Sequence, residues 1–400
     1  MSDDIKPDDR QPLWFLILFA VAVGGGAIAY VPFLTVLLPL KITSLMGGED
    51  VVSLARVTFY GAIIASLANV VFGLVSDWSR TRRPWIVFGL ISSGVLLIWI
   101  GQATSLFELI AAVMLWQLCL NMMLGPLLAW AGDCVPDSQK GLLGGLLSVA
   151  PALGAMAGSL VTFEGFVAEE YRTIAVAIMV AALVLPVLVL GGGRERSALM
   201  QPSHQKRGRS VADRTSRSIV VRMWLSRFLI QISEAGLFAF LLFWLRSILP
   251  DFHENTSANI FSIVLIISIP LSLIMGRWSD THQRPIAPLV VCAALAAVGL
   301  VVMAFSAELP LAITGYVVFG IAASIFLSLH TSQYLRVLPK PQHRGRDLGV
   351  FNLTNTVPSI VMPWLTLSLV PGFGFSALFL LFAALAALAA VLLVTTPKHV

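Results

Sequence analysis

A helix needs about 20 mostly apolar residues to cross a bilayer, and this chain supplies such stretches one after another, separated by short loops that hold most of its charge. Twelve can be counted. In the first half they run approximately over 13–37, 51–75, 86–101, 109–131, 142–161 and 173–190. In the second half they run over 219–245, 258–276, 286–305, 311–330, 348–369 and 376–394. Hydrocarbon leaves backbone N–H and C=O groups no water to bond, so only helices and closed barrels span it. These segments are too long and too uniformly apolar for barrel strands. The expected fold is therefore an all-α membrane protein with twelve transmembrane helices in two pseudo-symmetric six-helix bundles.

Composition excludes the soluble alternative. Apolar residues make up 58% of the chain and charged residues 12%, about half the usual 25% or so of a soluble domain. The first ten residues carry four Asp and two basic residues. They lack the basic start of a cleavable leader, so the first helix is expected to be retained. Cys119, Cys134 and Cys292 have neither disulfide nor metal spacing, and no metal, cofactor or catalytic residue is expected.

Basic residues set the orientation. With a cytoplasmic N-terminus, twenty of the 26 Lys and Arg residues fall on inside segments, among them Arg80, Arg82, Arg83, Lys140, Arg277, Arg284 and seven from Arg194 to Arg217. The positive-inside rule then places both termini in the cytoplasm. The net charge of +5 reflects these loops, and no nucleic-acid partner is expected. The longest polar stretch divides the chain into an N-terminal bundle over 1–192, a cytoplasmic linker over 193–217 and a C-terminal bundle over 218–400. A solvated positive linker and an electrostatic grip on anionic membrane lipid are the two readings of its basic run.

The halves repeat each other. After the second span the chain reads Gly73-Leu-Val-Ser-Asp77-Trp-Ser-Arg80-Thr-Arg82-Arg83-Pro84, and after the eighth Gly276-Arg-Trp-Ser-Asp280-Thr-His-Gln-Arg284-Pro285. A second pair, from Asp133 to Gly141 and from Pro339 to Gly345, follows the fourth and tenth spans. Such internal copies are the trace of a transporter built from duplicated bundles. A carboxylate at a helix end with arginines just beyond it can bond across to neighbouring helix termini. Asp77, Arg82, Arg83 and Asp133, with Asp280 and Arg284 in the second half, are thus candidate cytoplasmic gating residues; simple anchoring of helices at the interface is the other reading.

On these loops the chain resembles the major facilitator superfamily, with Ser76-Asp77, Arg82-Arg83-Pro84-Trp85 and the segment from Arg346 to Asn352 more similar to its sugar–cation symporter-like branch. The resemblance implies the major facilitator fold, a working monomer and alternating access around a mid-membrane site. The second span lacks the paired acidic residues that similar sodium-coupled symporters use, so the implied coupling ion is a proton.

Charge deep in a bilayer is costly and usually faces a cavity or a partner. Glu234 is the acidic residue at mid-span, and Arg227, Gln231 and Glu234 fall on one helical face. The stripe is a candidate substrate or proton site; a structural carboxylate paired with Arg227 or Arg222 is the alternative. Gln117 with Asn121, and Asn352 with Asn355, can hydrogen-bond a solute's hydroxyls or hold helices together. Tyr30, close to Pro32 and Gly24-Gly25-Gly26, marks a bend or a close packing surface. His330 is expected to cap or pack.

No phosphate-cradling loop or nucleophile elbow is present, so the chain is not expected to be an enzyme or to power itself with ATP. The expected function is secondary transport of a small organic solute, of sugar or glycoside type, across the cytoplasmic (inner) membrane with proton coupling. Efflux of a lipophilic drug or metabolite is the alternative. A non-transporting receptor or assembly factor that has kept the fold is a further one.

Overall fold

The structure is a computed structural model that describes the backbone of residues 10–396 except 48–49, 80, 136, 148, 193–211, 283 and 338–343. Within helices, the side chains of residues 77, 137–138, 140–141, 212–218, 280, 331–337 and 344–352 lie outside the description. Most of the linker expected over 193–217 therefore falls outside the described residues.

All regular structure among the described residues is helical. Helix α1 spans Leu13–Met46, α2 Val51–Trp78, α3 Arg83–Ile100 and α4 Leu106–Cys134. Helix α5 comes in two pieces, Asp137–Leu147 and Ala150–Val161, and α6 is Arg172–Leu190. The second set is α7 Ala212–Ile248, α8 Glu254–Thr281, α9 Ala287–Phe305 and α10 Leu309–Val337. The last helical stretch is Arg344–Val394.

Among the described residues, eleven helices are long and apolar enough to cross a membrane, and the last of these, Leu353–Val394, has 42 residues. At about 1.5 Å per residue that is roughly 60 Å, twice the hydrocarbon thickness. It breaks at Gly374, whose φ of 73° and ψ of 179° no helix contains. Only glycine adopts this conformation without a steric penalty. The stretch is thus two spans, α11 over 344–373 and α12 over 375–394, and the twelve expected spans are present.

Helix α1 carries the other large irregularity. Pro32 has no N–H to give and its ring crowds the carbonyl one turn back. The helix answers with a π-helical turn, Phe33–Leu37, directly after it. Three consecutive glycines precede this turn and point in three directions about 100° apart. A Cβ would meet Leu153 of α5 at Gly24, Leu183 and Val184 of α6 at Gly25, and Leu124 of α4 at Gly26. Close packing on three sides, with the distortion placed at Pro32, is what Gly24-Gly25-Gly26 provides.

The chain divides into two compact units, one comprising residues up to Lys41 with Tyr60–Pro202, the other Ile42–Phe59 with Ser203–Val400. Within the first, α1 packs on α4, α5 and α6, and α3 packs on α4 and α6. Within the second, α7 packs on α10 and on the α11–α12 stretch, and α9 packs on α10 and that same stretch. The duplication read from the loops is thus repeated in the packing. It reaches individual residues: a Cβ on Gly89 of α3 would lie 2.5 Å from the Met123 amide of α4, and one on Gly299 of α9 would lie 2.6 Å from the Phe319 amide of α10.

Large apolar side chains stay exposed along helix faces, such as Leu67, Val70 and Leu74 on α2 or Phe88, Ile91 and Val95 on α3. Lipid as the surrounding solvent accounts for such faces.

Candidate functional site

Three polar constellations stand out from the apolar spans, one at a loop end and two within helices.

The first surrounds the loop between α2 and α3. Arg82, at the start of α3, donates through Nε to Asp133 Oδ2 at 3.0 Å and through Nη1 to Ser76 Oγ at 2.6 Å. The next residue, Arg83, lies with its guanidinium carbon 5.2 Å from the centre of the Trp130 ring of α4, close enough for cation–π attraction. It also covers Gly192, where a Cβ would collide with the guanidinium. Two adjacent arginines therefore hold the α2–α3 loop to the end of α4 and the end of α6. Nearby, Gln11 and Gln139 bond reciprocally: the Gln11 amide donates to Gln139 Oε1 at 2.7 Å, and Gln139 Nε2 donates to the Gln11 carbonyl at 2.8 Å. Gln11 Nε2 adds a bond to the Cys134 carbonyl at 2.9 Å.

Of the six expected gating residues, the structure brings Arg82, Arg83 and Asp133 together. The side chains of Asp77 and Asp280 lie outside the described residues. Arg284 is exposed, and its backbone closes the turn with Ser279 in both directions.

The second constellation is an amide cluster between α2 and α4. Asn121 Nδ2 donates to the Gln117 carbonyl at 2.8 Å and approaches Gln117 Oε1 at 3.4 Å, while Asn69 Nδ2 of α2 donates to Asn121 Oδ1 at 3.3 Å. Gln117 and Asn121, one helical turn apart, share a face as their spacing requires. Gly125, one further turn along, allows the approach of α2: a Cβ there would lie 3.2 Å from the Asn69 carbonyl. Tyr30, half-buried, sits two residues before Pro32 in α1.

The third lies on α7. Arg227 donates through Nη1 to the Leu327 carbonyl of α10 at 2.9 Å and through Nη2 to Asn355 Oδ1 of α11 at 3.2 Å. One turn on, Gln231 Nε2 donates to Glu234 Oε2 at 2.7 Å. The charges of Arg227 and Glu234 act on each other, and Tyr316 of α10 also feels Glu234. His330, fully buried on α10, bonds through Nε2 to the Met223 carbonyl of α7 at 2.8 Å and packs beside Phe326. Arg222 binds the Thr395 backbone and hydroxyl beyond α12. The basic end of the α7 stripe is tied to two neighbouring helices. Asn352 lies outside the described side chains.

Sequence reasoning did not single out Asn69, Trp130 or Tyr316, and it read Ser76 and Gln139 only as parts of the loop motifs. An Asn in the middle of an apolar span was a legible signal for Asn69. The others are partners whose proximity only the folded chain reveals.

Comparison with known proteins bears on the fold. No curated protein matches the chain in sequence. Solved structures match in fold over nearly the whole length. One is a bacterial homologue of the human lysosomal transporter Spinster, at 14% identity with a TM-score of 0.67, covering 96% of this chain and 95% of that one. The nucleoside transporter NupG matches at 14% identity with a TM-score of 0.71, covering 96% and 100%. A POT family transporter in complex with 5-aminolevulinic acid matches at 14% identity with a TM-score of 0.73, covering 96% and 95%. The family model described as Major Facilitator Superfamily matches residues 13–328 and again 223–400, and the chain is a member of that superfamily.

Proposed function

We propose that the chain is a secondary active transporter that moves a small polyhydroxylated solute, of sugar or glycoside type, across the inner membrane by alternating access, with a proton as the coupling ion and both termini in the cytoplasm. It works as a monomer, with membrane lipid as its surroundings. The fold neighbours handle different solutes, so the substrate has to be argued from this chain's own residues.

The observation that carries the reading is the α7 stripe. Glu234 is a half-buried carboxyl at mid-span with Gln231 as its donor, a placement that is costly unless it serves a purpose. Arg227 answers its charge and at the same time grips α10 and α11. Gain or loss of a proton at Glu234 thereby changes the force on a residue that ties three helices. That is the arrangement a coupled carrier needs. The clasp of Arg82 with Asp133 and Ser76 serves as the cytoplasmic latch, which must open when the inward state forms.

The test is proton movement in proteoliposomes that enclose a pH-sensitive dye. Glucose, galactose, sucrose, maltose and melibiose are added outside in turn. Internal acidification that accompanies uptake of one of these sugars, and is lost in Glu234→Gln while sugar exchange at equal concentrations persists, supports the proposal. Sugar uptake with no acidification in the wild type removes the proton, and absence of uptake for every sugar removes the substrate class.

A further inference from the structure

The amide cluster between α2 and α4 has a direction, and the direction specifies what it can bind. A backbone carbonyl only accepts hydrogen bonds. The atom of Asn121 that lies 2.8 Å from the Gln117 carbonyl must therefore be Nδ2. That fixes Asn121 Oδ1 toward α2, so the atom of Asn69 that meets it must be the donor Nδ2. The same Asn121 Nδ2 lies 3.4 Å from Gln117, which must present Oε1 to it. One backbone anchor thus orients all three amides.

What remains is one unused group at each end. Gln117 Nε2 is a donor and Asn69 Oδ1 is an acceptor; among the described residues neither makes a hydrogen bond, and neither is among the buried polar atoms that lack one. Neither atom is therefore fully sealed inside the helix packing. A hydroxyl donates and accepts at once. A ligand with neighbouring hydroxyls can take a bond from Gln117 Nε2 and give one to Asn69 Oδ1. A carboxylate could satisfy only the donor end, and an ammonium only the acceptor end. The internal bonds hold the three side chains still in advance, which lowers the cost of ordering them on binding.

We infer that Asn69, Asn121 and Gln117 form a pre-oriented polyol-recognition element in which Gln117 Nε2 and Asn69 Oδ1 contact vicinal hydroxyls of the solute, and Asn121 is a positioning residue that sets the polarity of both. This inference rests on the proposed sugar-type substrate and adds to it Asn69 and the pattern of hydroxyls read.

Amides that merely glue helices would lose stability when cut and leave ligand affinity alone. The test is a thermal-shift titration of the purified, detergent-solubilised full chain with glucose, galactose, sucrose, maltose and melibiose, and with tetraphenylphosphonium as a lipophilic control. The variant Gln117→Met removes the outward donor and the long 3.4 Å contact of Oε1 with Asn121 but keeps the backbone carbonyl that anchors Asn121, so its ligand-free melting temperature falls less than that of Asn69→Leu. Asn69→Leu removes the outward acceptor together with the bond to Asn121. The expected result is that one sugar stabilises the wild type, and that its apparent affinity falls by about tenfold or more in Gln117→Met and in Asn69→Leu. Equal sugar affinity in wild type and Gln117→Met overturns the inference and leaves the transport reading standing. Stabilisation by tetraphenylphosphonium alone, or by no sugar, overturns the inference and the proposed substrate class together.

Discussion

Arg82 Nε stands 3.0 Å from Asp133 Oδ2, with only 9% and 14% of the two side chains exposed, and the same guanidinium reaches Ser76 Oγ. One arginine thus binds the start of α3 to the last turns of α2 and α4. Removing the acid takes from a buried cation the carboxylate that it bonds. Asp133→Ala is expected to destabilise the chain by about 1.5–3 kcal/mol. The variant Arg82→Ala should cost a similar amount, and the double variant should cost less than the sum, because the bond is lost only once. Equilibrium unfolding of the three variants checks this, with strict additivity as the result that would dismiss the clasp.

Two glycine substitutions should move stability in opposite directions. A Cβ on Gly299 would lie 2.6 Å from the Phe319 amide and 2.7 Å from the Gly315 carbonyl, and backbone cannot step aside as a flexible side chain can. Gly299→Ala is expected to push α9 off α10 and cost about 1–3 kcal/mol. At Gly144, in the first piece of α5, a Cβ meets nothing within 4 Å. There Gly144→Ala relieves only the helix entropy of glycine and should stabilise by about 0.5–1 kcal/mol. Melting curves of both variants in one detergent decide the matter.

How much of this was legible in the sequence differs between backbone and side chains. The twelve spans could be read because hydrocarbon punishes every unsatisfied peptide group, so span length and apolar content are dictated locally. Even the merged 42-residue stretch at the end was foreseeable as two spans, since Pro371 and Gly374 interrupt it. The i, i+4 and i+7 spacing of Arg227, Gln231 and Glu234 is enough to place them on one helical face. The identity of their partners was not legible. That Arg227 grips Leu327 and Asn355, a hundred and more residues away, is set by how α7, α10 and α11 pack. No pattern within a single helix encodes that register. Trp130 beneath Arg83 and Asn69 beside Asn121 were hidden for the same reason.

The Arg227 grip can itself be tested. Its Nη1 and Nη2 serve different helices, one bond to the Leu327 carbonyl and one to Asn355 Oδ1. Lysine carries the same charge as a single point and cannot serve both with a planar fork. Arg227→Lys is expected to lose about 1–3 kcal/mol. Asn355→Ala should cost less in the Arg227→Lys background than in the wild type, because one of its partners has already gone. Urea or heat unfolding of the single and double variants gives the coupling, and equal cost of Asn355→Ala in both backgrounds would show that the bond carries nothing.

The first turn of α2 offers a pH test away from the membrane interior. Asp50 caps the helix: the Ser53 amide donates to Oδ1 at 3.0 Å and the Ser53 hydroxyl to Oδ2 at 2.7 Å. Partial burial alone would push this carboxyl up. The hydrogen bonds from Ser53 and Val52 and the nearby Arg56 charge outweigh burial and hold it below its ordinary value. A carboxyl depressed by folding stabilises the folded form fully above its unfolded pKa of about 3.9, and that contribution fades as pH falls through the lower folded value. Hydrogen exchange at the Ser53 amide, corrected for intrinsic rate, is therefore expected to stay flat from neutral pH down to about 4.5 and to accelerate below the ordinary carboxylate pKa. Asp50→Asn keeps an acceptor for Ser53 and should abolish this acid response, whereas Asp50→Ala should raise exchange at every pH by an amount matching about 0.5–2 kcal/mol for a lost cap. Acceleration that sets in already near pH 6 would contradict the cap, since it would require a carboxyl raised rather than lowered by folding.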